Sequence, residues 1–278
     1  MKKLTFVLTL ALLVGCSTTS PPVQPGPPPE YAGANGSAWV AIGLLNVDPA
    51  VYGSSMPCPG ADVDAAWFYA RASSAGYTSW LLLDENATWS NVTNVVRQAA
   101  ASVSEDGVLV VSMAGHGSQI RDNDGDEADG LDETVCLWDG QVRDDRVLAL
   151  LHSLPPLRVL LINDQCHSEG NFRSIVRTAQ QLVSLGYWGR VRPPDMVERR
   201  GNWNGQLIQL AACREADYAT GTSEGGSWSL SLADSSATGK VLHQWYEDAA
   251  GQMPAYQPPV WVEYGEVEQA FRLFQVYK

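Results

Sequence analysis

Five apolar runs, separated by amphipathic segments, are the feature that most constrains the fold of this chain. Each run is apolar at successive positions, so both faces of a strand built from it would be buried. Strands of this kind are typical of a parallel sheet covered on both sides by helices. The runs are Trp39–Leu45, Trp80–Leu83, Val108–Met113, Val159–Ile162 and Leu207–Ala211.

The segments between these runs predict the helical layers. Asp62 and Ser90 are predicted N-terminal caps, and a short final strand is expected within Phe271 to Val276. The predicted helices are Asp62–Ala75, Ser90–Val103, Asp145–Leu151, a part of Ser174–Leu185, and Val241–Ala249. Residues 38–278 are therefore predicted to form one α/β domain, a three-layer α/β/α sandwich around a mostly parallel sheet of about six strands.

The N-terminal residues have a different character. Two lysines precede a short apolar run that ends at Gly15 and Cys16, which predicts a secretory signal over residues 1–15 that is too short for a stable membrane span. The sequence Leu-Val-Gly-Cys resembles a bacterial lipobox, which implies lipidation of Cys16. Ser17 resembles the residue found at this position in lipoproteins sorted to the outer membrane. An ordinary signal peptide with an incidental cysteine is the alternative.

Residues 16–37 are rich in proline, which predicts an extended tether between the lipid and the folded domain. The chain carries 31 acidic and 18 basic residues, a formal net charge of −13. Binding to nucleic acid needs clustered Lys and Arg, so the charge argues against such a partner. Much of the negative charge lies between Asp122 and Asp145, and a local concentration of this kind indicates a site.

A histidine and a cysteine follow two of the predicted strands. His116 lies between two glycines after the third apolar run, and Cys166 follows the fourth. The carboxyl ends of parallel strands meet at one edge of a sheet, which is where ligands bind in such folds. An imidazole beside a thiol supports nucleophilic attack on a carbonyl. Glycines next to the histidine allow backbone amides to approach the substrate and stabilise an oxyanion.

The strings SMAGHGSQ and INDQCHSEG resemble the two catalytic motifs of metacaspases, which are caspase-like cysteine peptidases. The resemblance extends to the segment Gly60–Ala65, the acidic loop and LAACREADYATGT. It implies a caspase-like fold and a cysteine endopeptidase with His116 and Cys166 as its dyad. It also implies an oxyanion hole formed by backbone amides near Gly117 and Cys166, and no organic cofactor.

Metacaspases cleave after Arg or Lys, and the resemblance places Asp64 and Asp164 in the pocket that binds this side chain. Two carboxylates suit a guanidinium because it forms paired hydrogen bonds with them. The expected substrates are therefore proteins or peptides with exposed Arg or Lys. The alternatives are that Asp64 is a solvated residue of a helix face and that Asp164 caps a loop.

The acidic run from Asp122 to Glu133 is not an EF-hand, because Glu127 occupies the position that requires glycine. The resemblance to metacaspases implies instead that Asp132, Asp144 and Asp145 bind calcium. Arg173 stands near the position of a fourth ligand. The hypothesis is that its guanidinium partly replaces the cation.

Three further questions stay open on the sequence alone. The loop 186–205 carries Arg199 and Arg200, which are candidate sites of self-cleavage or parts of a solvated loop. Cys58 and Cys136 could form a disulfide. Two other functions compete with an active Arg/Lys peptidase: a catalytically inactive, calcium-responsive binding module at the cell envelope, and a legumain- or gingipain-like peptidase.

Overall fold

A mixed sheet forms the centre of the protein. The computed structural model describes residues 36–121, 130–166, 198–200, 205–214 and 217–277. The strands of the central sheet are β1 (Ala38–Gly43), β2 (Thr78–Leu83), β3 (Val108–Ala114), β7 (Leu157–Asp164), β8 (Glu198–Arg200), β9 (Gly205–Ala211) and β12 (Val260–Gly265). Their order is β2-β1-β3-β7-β9-β12-β8, and β12 runs antiparallel to β9. Six longer strands, mostly parallel, and the three-residue edge strand β8 confirm the predicted fold class.

Two smaller β structures lie outside the central sheet. An antiparallel three-stranded sheet contains β4 (Gly117–Arg121), β5 (Leu131–Leu137) and β6 (Gly140–Arg143). A two-stranded hairpin contains β10 (Gly221–Thr222) and β11 (Gly225–Gly226). The sequence interpretation predicted neither structure, nor β12. Their strands are short or lack the long apolar runs that identified the others.

Helices cover both faces of the central sheet. They are α1 (Pro49–Tyr52), α2 (Ala61–Ser74), α3 (Trp89–Ser102), α4 (Asp144–His152), α5 (Ser227–Asp234), α6 (Leu242–Ala250) and α7 (Gln269–Arg272). One apolar cluster contains side chains of α3 and α4, and the other contains side chains of α2, α5 and α6. The three predicted layers are therefore present.

The element ends differ from the sequence prediction at three places. Gly60 caps α2 in place of Asp62, and Thr88 caps α3 in place of Ser90, with its hydroxyl accepting from the Asn91 amide at 3.2 Å. Phe271 lies in α7 and not in a final strand. Phe271 and Phe274 are both buried, and their spacing of three suits a helical turn better than a strand.

The predicted signal, the Cys16 lipidation site, the tether up to residue 35 and the helix within 174–185 lie outside the described residues. Within the described ranges, none of the helices has the length and apolar character needed to cross a membrane.

Trp39 of β1 is central to the core on the α2 side of the sheet. Its side chain is fully buried, stacks on Phe68 and Tyr277 at centroid distances of 5.6 and 5.7 Å, and donates from Nε1 to Ser112 Oγ at 2.9 Å. Buried aromatic residues contribute large apolar area, and a satisfied indole N–H removes the cost of burying a polar group.

Trp39→Ala is expected to lower the free energy of unfolding by about 3–5 kcal/mol, because it leaves a large cavity. Trp39→Phe keeps a stacked ring but leaves Ser112 without its donor, so we expect a smaller loss, about 1–3 kcal/mol. Chemical denaturation measures both values. Equal losses for the two variants would contradict this account of the core.

Candidate active site

His116 and Cys166 leave neighbouring strands at the same edge of the sheet. β3 and β7 pair in parallel, and the register places Ala114 opposite Asp164 at their carboxyl ends. His116 follows β3 by two residues, and Cys166 follows β7 by two residues. The pairing of β3 with β7 therefore brings the two predicted catalytic residues to one place.

The backbone of Gly117 lies against the backbone of Cys166. A Cβ atom at Gly117 would lie 2.0 Å from the Cys166 carbonyl oxygen, so only glycine fits at this position. The Gln165 side-chain amide also donates to the His116 carbonyl at 3.3 Å. The two segments that carry the predicted oxyanion amides, at Gly117 and Cys166, are thus in direct contact.

The imidazole of His116 is oriented by a backbone carbonyl that sequence reasoning missed. His116 Nε2 lies 2.9 Å from the Met56 carbonyl oxygen, and since a carbonyl can only accept, Nε2 carries the proton of this bond. Nδ1 is then the nitrogen left to act as a base. Met56 has a φ of 40°, a strained conformation for a residue other than glycine and one often found at functional sites.

The thiol of Cys166 is half-buried and lies 3.7 Å from the Ala219 carbonyl oxygen. Burial raises the pKa of this thiol, and the nearby Asp164 carboxylate raises it further. A raised thiol pKa means that the protonated form predominates in the resting site at neutral pH. If Cys166 acts as a nucleophile, it therefore needs a base.

Asp64 and Asp164 lie close to each other, with Asp164 next to this thiol, and are 4% and 6% exposed. Residues 219–227, which contain β10 and β11 and are called the pocket hairpin here, pack against both carboxylates. The Gly226 amide donates to Asp64 Oδ2 at 2.8 Å, and the Ser229 amide at the start of α5 donates to Asp164 Oδ2 at 2.8 Å. Cβ atoms at Gly225 and Gly226 would overlap with oxygens of Asp64 and Asp164.

Burial and these hydrogen bonds bear on the alternatives that the sequence left open for Asp64 and Asp164. Asp64 is buried, so the interpretation as a solvated helix-face residue is wrong. Asp164 accepts from the Ser229 amide in the first turn of α5, so it bonds a helix N-terminus and not a loop, and it also lies next to Asp64.

Burial raises the pKa of both carboxyl groups. The pKa of Asp64 rises to about 8, first because the side chain is buried and second because Asp164 is near. Burial raises the pKa of Asp164 to about 6, against the opposing effect of its hydrogen bonds to Ser229. Two buried carboxylates of this kind repel each other unless a proton or a cation lies between them. The pair of carboxylates is therefore electrostatically suited to a cationic side chain.

The three predicted calcium ligands also lie together. Asp132 is on β5 of the small sheet, and Asp144 and Asp145 form the first turn of α4. One carboxylate oxygen from each lies within 4.8 Å of the others, and Asp132 and Asp144 are buried. Arg143 approaches Asp132 at 3.6 Å. Carboxylate oxygens at this spacing are the ligand type that calcium prefers.

Arg173 and most of the loop 186–205 lie outside the described residues. Arg199 and Arg200 lie in β8, where they pair with Glu263 and Tyr264 of β12. Cleavage after Arg199 therefore requires this edge strand to leave the sheet. The cysteines at positions 58, 136, 166 and 213 are all free thiols, and no Cys58–Cys136 disulfide is present.

The chain belongs to the caspase domain family, whose profile matches residues 45–242, more than half of the chain. It is therefore a member of a cysteine peptidase family. Metacaspase-1 of Arabidopsis thaliana is 34% identical over 125 residues, which are 41% of this chain and 33% of that protein. Metacaspase-2 of Arabidopsis thaliana is 28% identical over 153 residues, 51% of this chain and 35% of that protein. The chain thus spans about a third of these curated relatives.

Solved structures agree with the fold. Protein GSU0716 from Geobacter sulfurreducens superposes with a TM-score of 0.70 at 24% identity, over 87% of this chain and 99% of that one. Caspase-1 from Spodoptera frugiperda superposes with a TM-score of 0.51 at 11% identity, over 87% of this chain and 90% of that one. At these identities the similarity concerns the fold alone.

Gln257 is a second site residue that sequence reasoning missed. Its side chain is fully buried. The side-chain oxygen accepts hydrogen bonds from the backbone amide and the hydroxyl of Thr220 at 2.9 and 2.6 Å, and the side-chain nitrogen donates to the Ala212 carbonyl at 3.3 Å. Gln257 thus fixes the start of the pocket hairpin to the end of β9. No sequence signal identifies it, because it lies in a loop far along the chain from both catalytic motifs.

The free energy of unfolding of Asp64→Asn, relative to that of the native chain, is expected to increase as pH rises from about 4 to 8. In this window the folded protein retains a proton on Asp64 that the unfolded chain has lost, so rising pH destabilises the native fold but not the asparagine variant. Thermal unfolding at several pH values measures the difference. Asp62→Asn, on the same helix and less buried, is the control. A difference independent of pH would contradict the assigned burial of Asp64.

Proposed function

We propose that the chain is a cysteine endopeptidase that cleaves after Arg or Lys, with Cys166 as nucleophile and His116 as base. Membership of the caspase domain family supports a cysteine peptidase. The observation that carries the specificity is the buried pair Asp64 and Asp164, held beside the nucleophile by the pocket hairpin. A guanidinium or ammonium in this pocket neutralises a pair that is otherwise unfavourable.

The proposed reaction uses the Cys166 thiol as the nucleophile and the His116 imidazole as the base. Nδ1 of His116 accepts the thiol proton as Sγ of Cys166 attacks the substrate carbonyl carbon. Amides near Gly117 and Cys166 stabilise the oxyanion. His116 then returns the proton to the leaving amine, and an acyl-enzyme forms. Water, activated by the same imidazole, hydrolyses the thioester and restores the thiol.

Peptides that end in Arg or Lys before a fluorogenic group are expected to be hydrolysed, and matched peptides ending in Asp or Asn are not. Cys166→Ala and His116→Ala are each expected to lower kcat/KM by more than about 1,000-fold, because nucleophile and base act as one unit. Asp64→Asn is expected to raise KM for the Arg peptide, since it removes one charge from the pocket but keeps an acceptor for Gly226.

Hydrolysis of the Asn peptide in place of the Arg peptide would favour a legumain-like specificity and overturn this proposal. No hydrolysis of any peptide, together with intact calcium binding, would favour the binding-module alternative. The intact mass of the purified native chain, compared with Cys166→Ala, tests self-processing after Arg199 or Arg200. A single identical species in both samples would rule it out.

We also propose that Asp132, Asp144 and Asp145 bind calcium. The carboxylate oxygens within 4.8 Å of one another fit a hard cation, and a bound cation would reduce the repulsion among them. The small sheet that carries Asp132 begins at Gly117, next to His116. Calcium at this cluster would therefore stabilise the strand that follows the catalytic histidine.

Calcium is expected to raise the melting temperature of the native chain and to bind in calorimetry, and Asp145→Asn is expected to weaken binding by about tenfold or more. Glu105→Gln removes an exposed charge elsewhere and is the control. If Arg173 partly replaces the cation, Arg173→Asp should tighten binding. Calcium affinity unaffected by Asp145→Asn would contradict this site.

The proposed location is the bacterial cell envelope. The signal pattern, the lipobox-like sequence before Cys16 and the proline-rich tether support a lipoprotein anchored through Cys16, in the outer membrane. Membrane contact would then come from the lipid, and the substrates would be proteins or peptides of the envelope.

A further inference from the structure

We propose that Asp64 and Asp164 suppress ionisation of the Cys166 thiol while the pocket is empty, and that a cationic side chain entering the pocket relieves this suppression. The inference rests on the proposed Arg/Lys pocket and extends it. The pocket would select substrates by binding them and also by activating the nucleophile only when the correct charge is present.

The thiol and the two carboxylates form one cluster because a single structural unit holds them. Cys166 lies two residues after Asp164, and the pocket hairpin contacts all three groups: Ala219 contacts the thiol, and Gly225 and Gly226 pack on the two carboxylates. The Ser227 amide donates to the Thr220 carbonyl at 2.7 Å and closes this hairpin. Its two ends are thereby fixed, one at the nucleophile and the other at the acidic pair.

The surroundings of the thiol are mostly anionic or neutral. Among the described residues, Asp164, Cys58 and Cys136 interact electrostatically with the thiol, Asp64 adjoins Asp164 and Cys58, and His116 follows the neighbouring strand β3. His116 is the one group of this set that can become cationic, and its Nε2 is committed to Met56. The pKa of the neighbouring Cys58 thiol is raised to about 11, first by burial and then by Asp164, Cys166 and Asp64. The thiols of Cys58 and Cys166 therefore share one electrostatic environment.

A negative charge close to a thiol disfavours the thiolate, because two like charges then share a site of low dielectric constant. A guanidinium bound between the carboxylates adds a positive charge at the same place. In the alkaline range where the thiol titrates, both carboxylates are ionised, so binding changes the pocket charge from two negative charges to one. The thiolate should then form at a lower pH.

The test measures thiol ionisation without peptide hydrolysis. The rate of alkylation by iodoacetamide is followed between pH 6 and 10 on the tryptic peptide that carries Cys166, which contains no second cysteine. Butylguanidine serves as the cation, and butylurea, of the same shape but uncharged, is its control. We expect butylguanidine to lower the midpoint of the pH profile by about one unit and butylurea to leave it unchanged.

Variants of the two carboxylates test their effect on thiol ionisation in the absence of a ligand. Asp164→Asn keeps an oxygen that can accept from the Ser229 amide, and it is expected to lower the midpoint in the empty site. Asp64→Asn, with the corresponding acceptor for Gly226, is the second variant if the first does not fold. Glu224→Gln removes a charge from an exposed position of the same hairpin, so it should not move the midpoint.

Each outcome decides the proposal. A midpoint that neither butylguanidine nor the two pocket variants shift would overturn it, even if Arg peptides are cleaved, in which case the proposed function stands. A midpoint lowered by Asp164→Asn but unchanged by butylguanidine would also overturn it and would count against an Arg/Lys pocket. An equal shift with Glu224→Gln would show an effect of net charge and contradict a local cause.

Discussion

The parallel pairing of β3 with β7 is the contact on which the rest of the site depends. It sets Ala114 opposite Asp164, and His116, Gly117 and Cys166 all follow within three residues of this pair. The turn after β3 then brings Gly117 against the carbonyl of Cys166, at a distance that excludes any side chain. A slip of this register would separate the imidazole from the thiol and would also move Asp164 away from Asp64. The apolar side chains of the buried strands determine this register, and the register therefore determines the relative positions of the residues that follow β3 and β7.

The buried carboxylates at this edge are unfavourable for the empty protein. Removing an ionised group from water is expensive unless hydrogen bonds or an opposite charge compensate. Here the compensation comes from the amides of Gly226 and Ser229 at the first turn of α5, where the helix dipole also favours negative charge. The compensation is incomplete, as the raised pKa of Asp64 shows. Buried negative charge that is only partly compensated in the free protein is typical of a site whose ligand carries a positive charge.

Local sequence patterns predicted the central strands well because each strand is buried on both faces, which gives an apolar run that needs no partner to be recognised. β12 and the small sheet were missed because their pattern is short or mixed with polar residues such as Glu263, which is buried and paired with Arg272. In the site, His116, Cys166, Asp64 and Asp164 were accessible to sequence reasoning because the motifs name their side chains. Met56 and Gln257 were not, because the first acts through its carbonyl and the second only through contacts created by the fold.

Burial and negative charge around the Cys166 thiol have a consequence beyond the proposed specificity. Oxidants attack the thiolate far faster than the thiol, and the free cysteines of this chain are proposed to lie in the cell envelope, where oxidising conditions are common. A thiol kept protonated by its surroundings resists this chemistry. If a substrate cation is what releases the thiolate, the reactive form exists mainly when a peptide bond already lies over it. The acidic pair would then protect the thiol by the same electrostatic effect with which it is proposed to select the substrate.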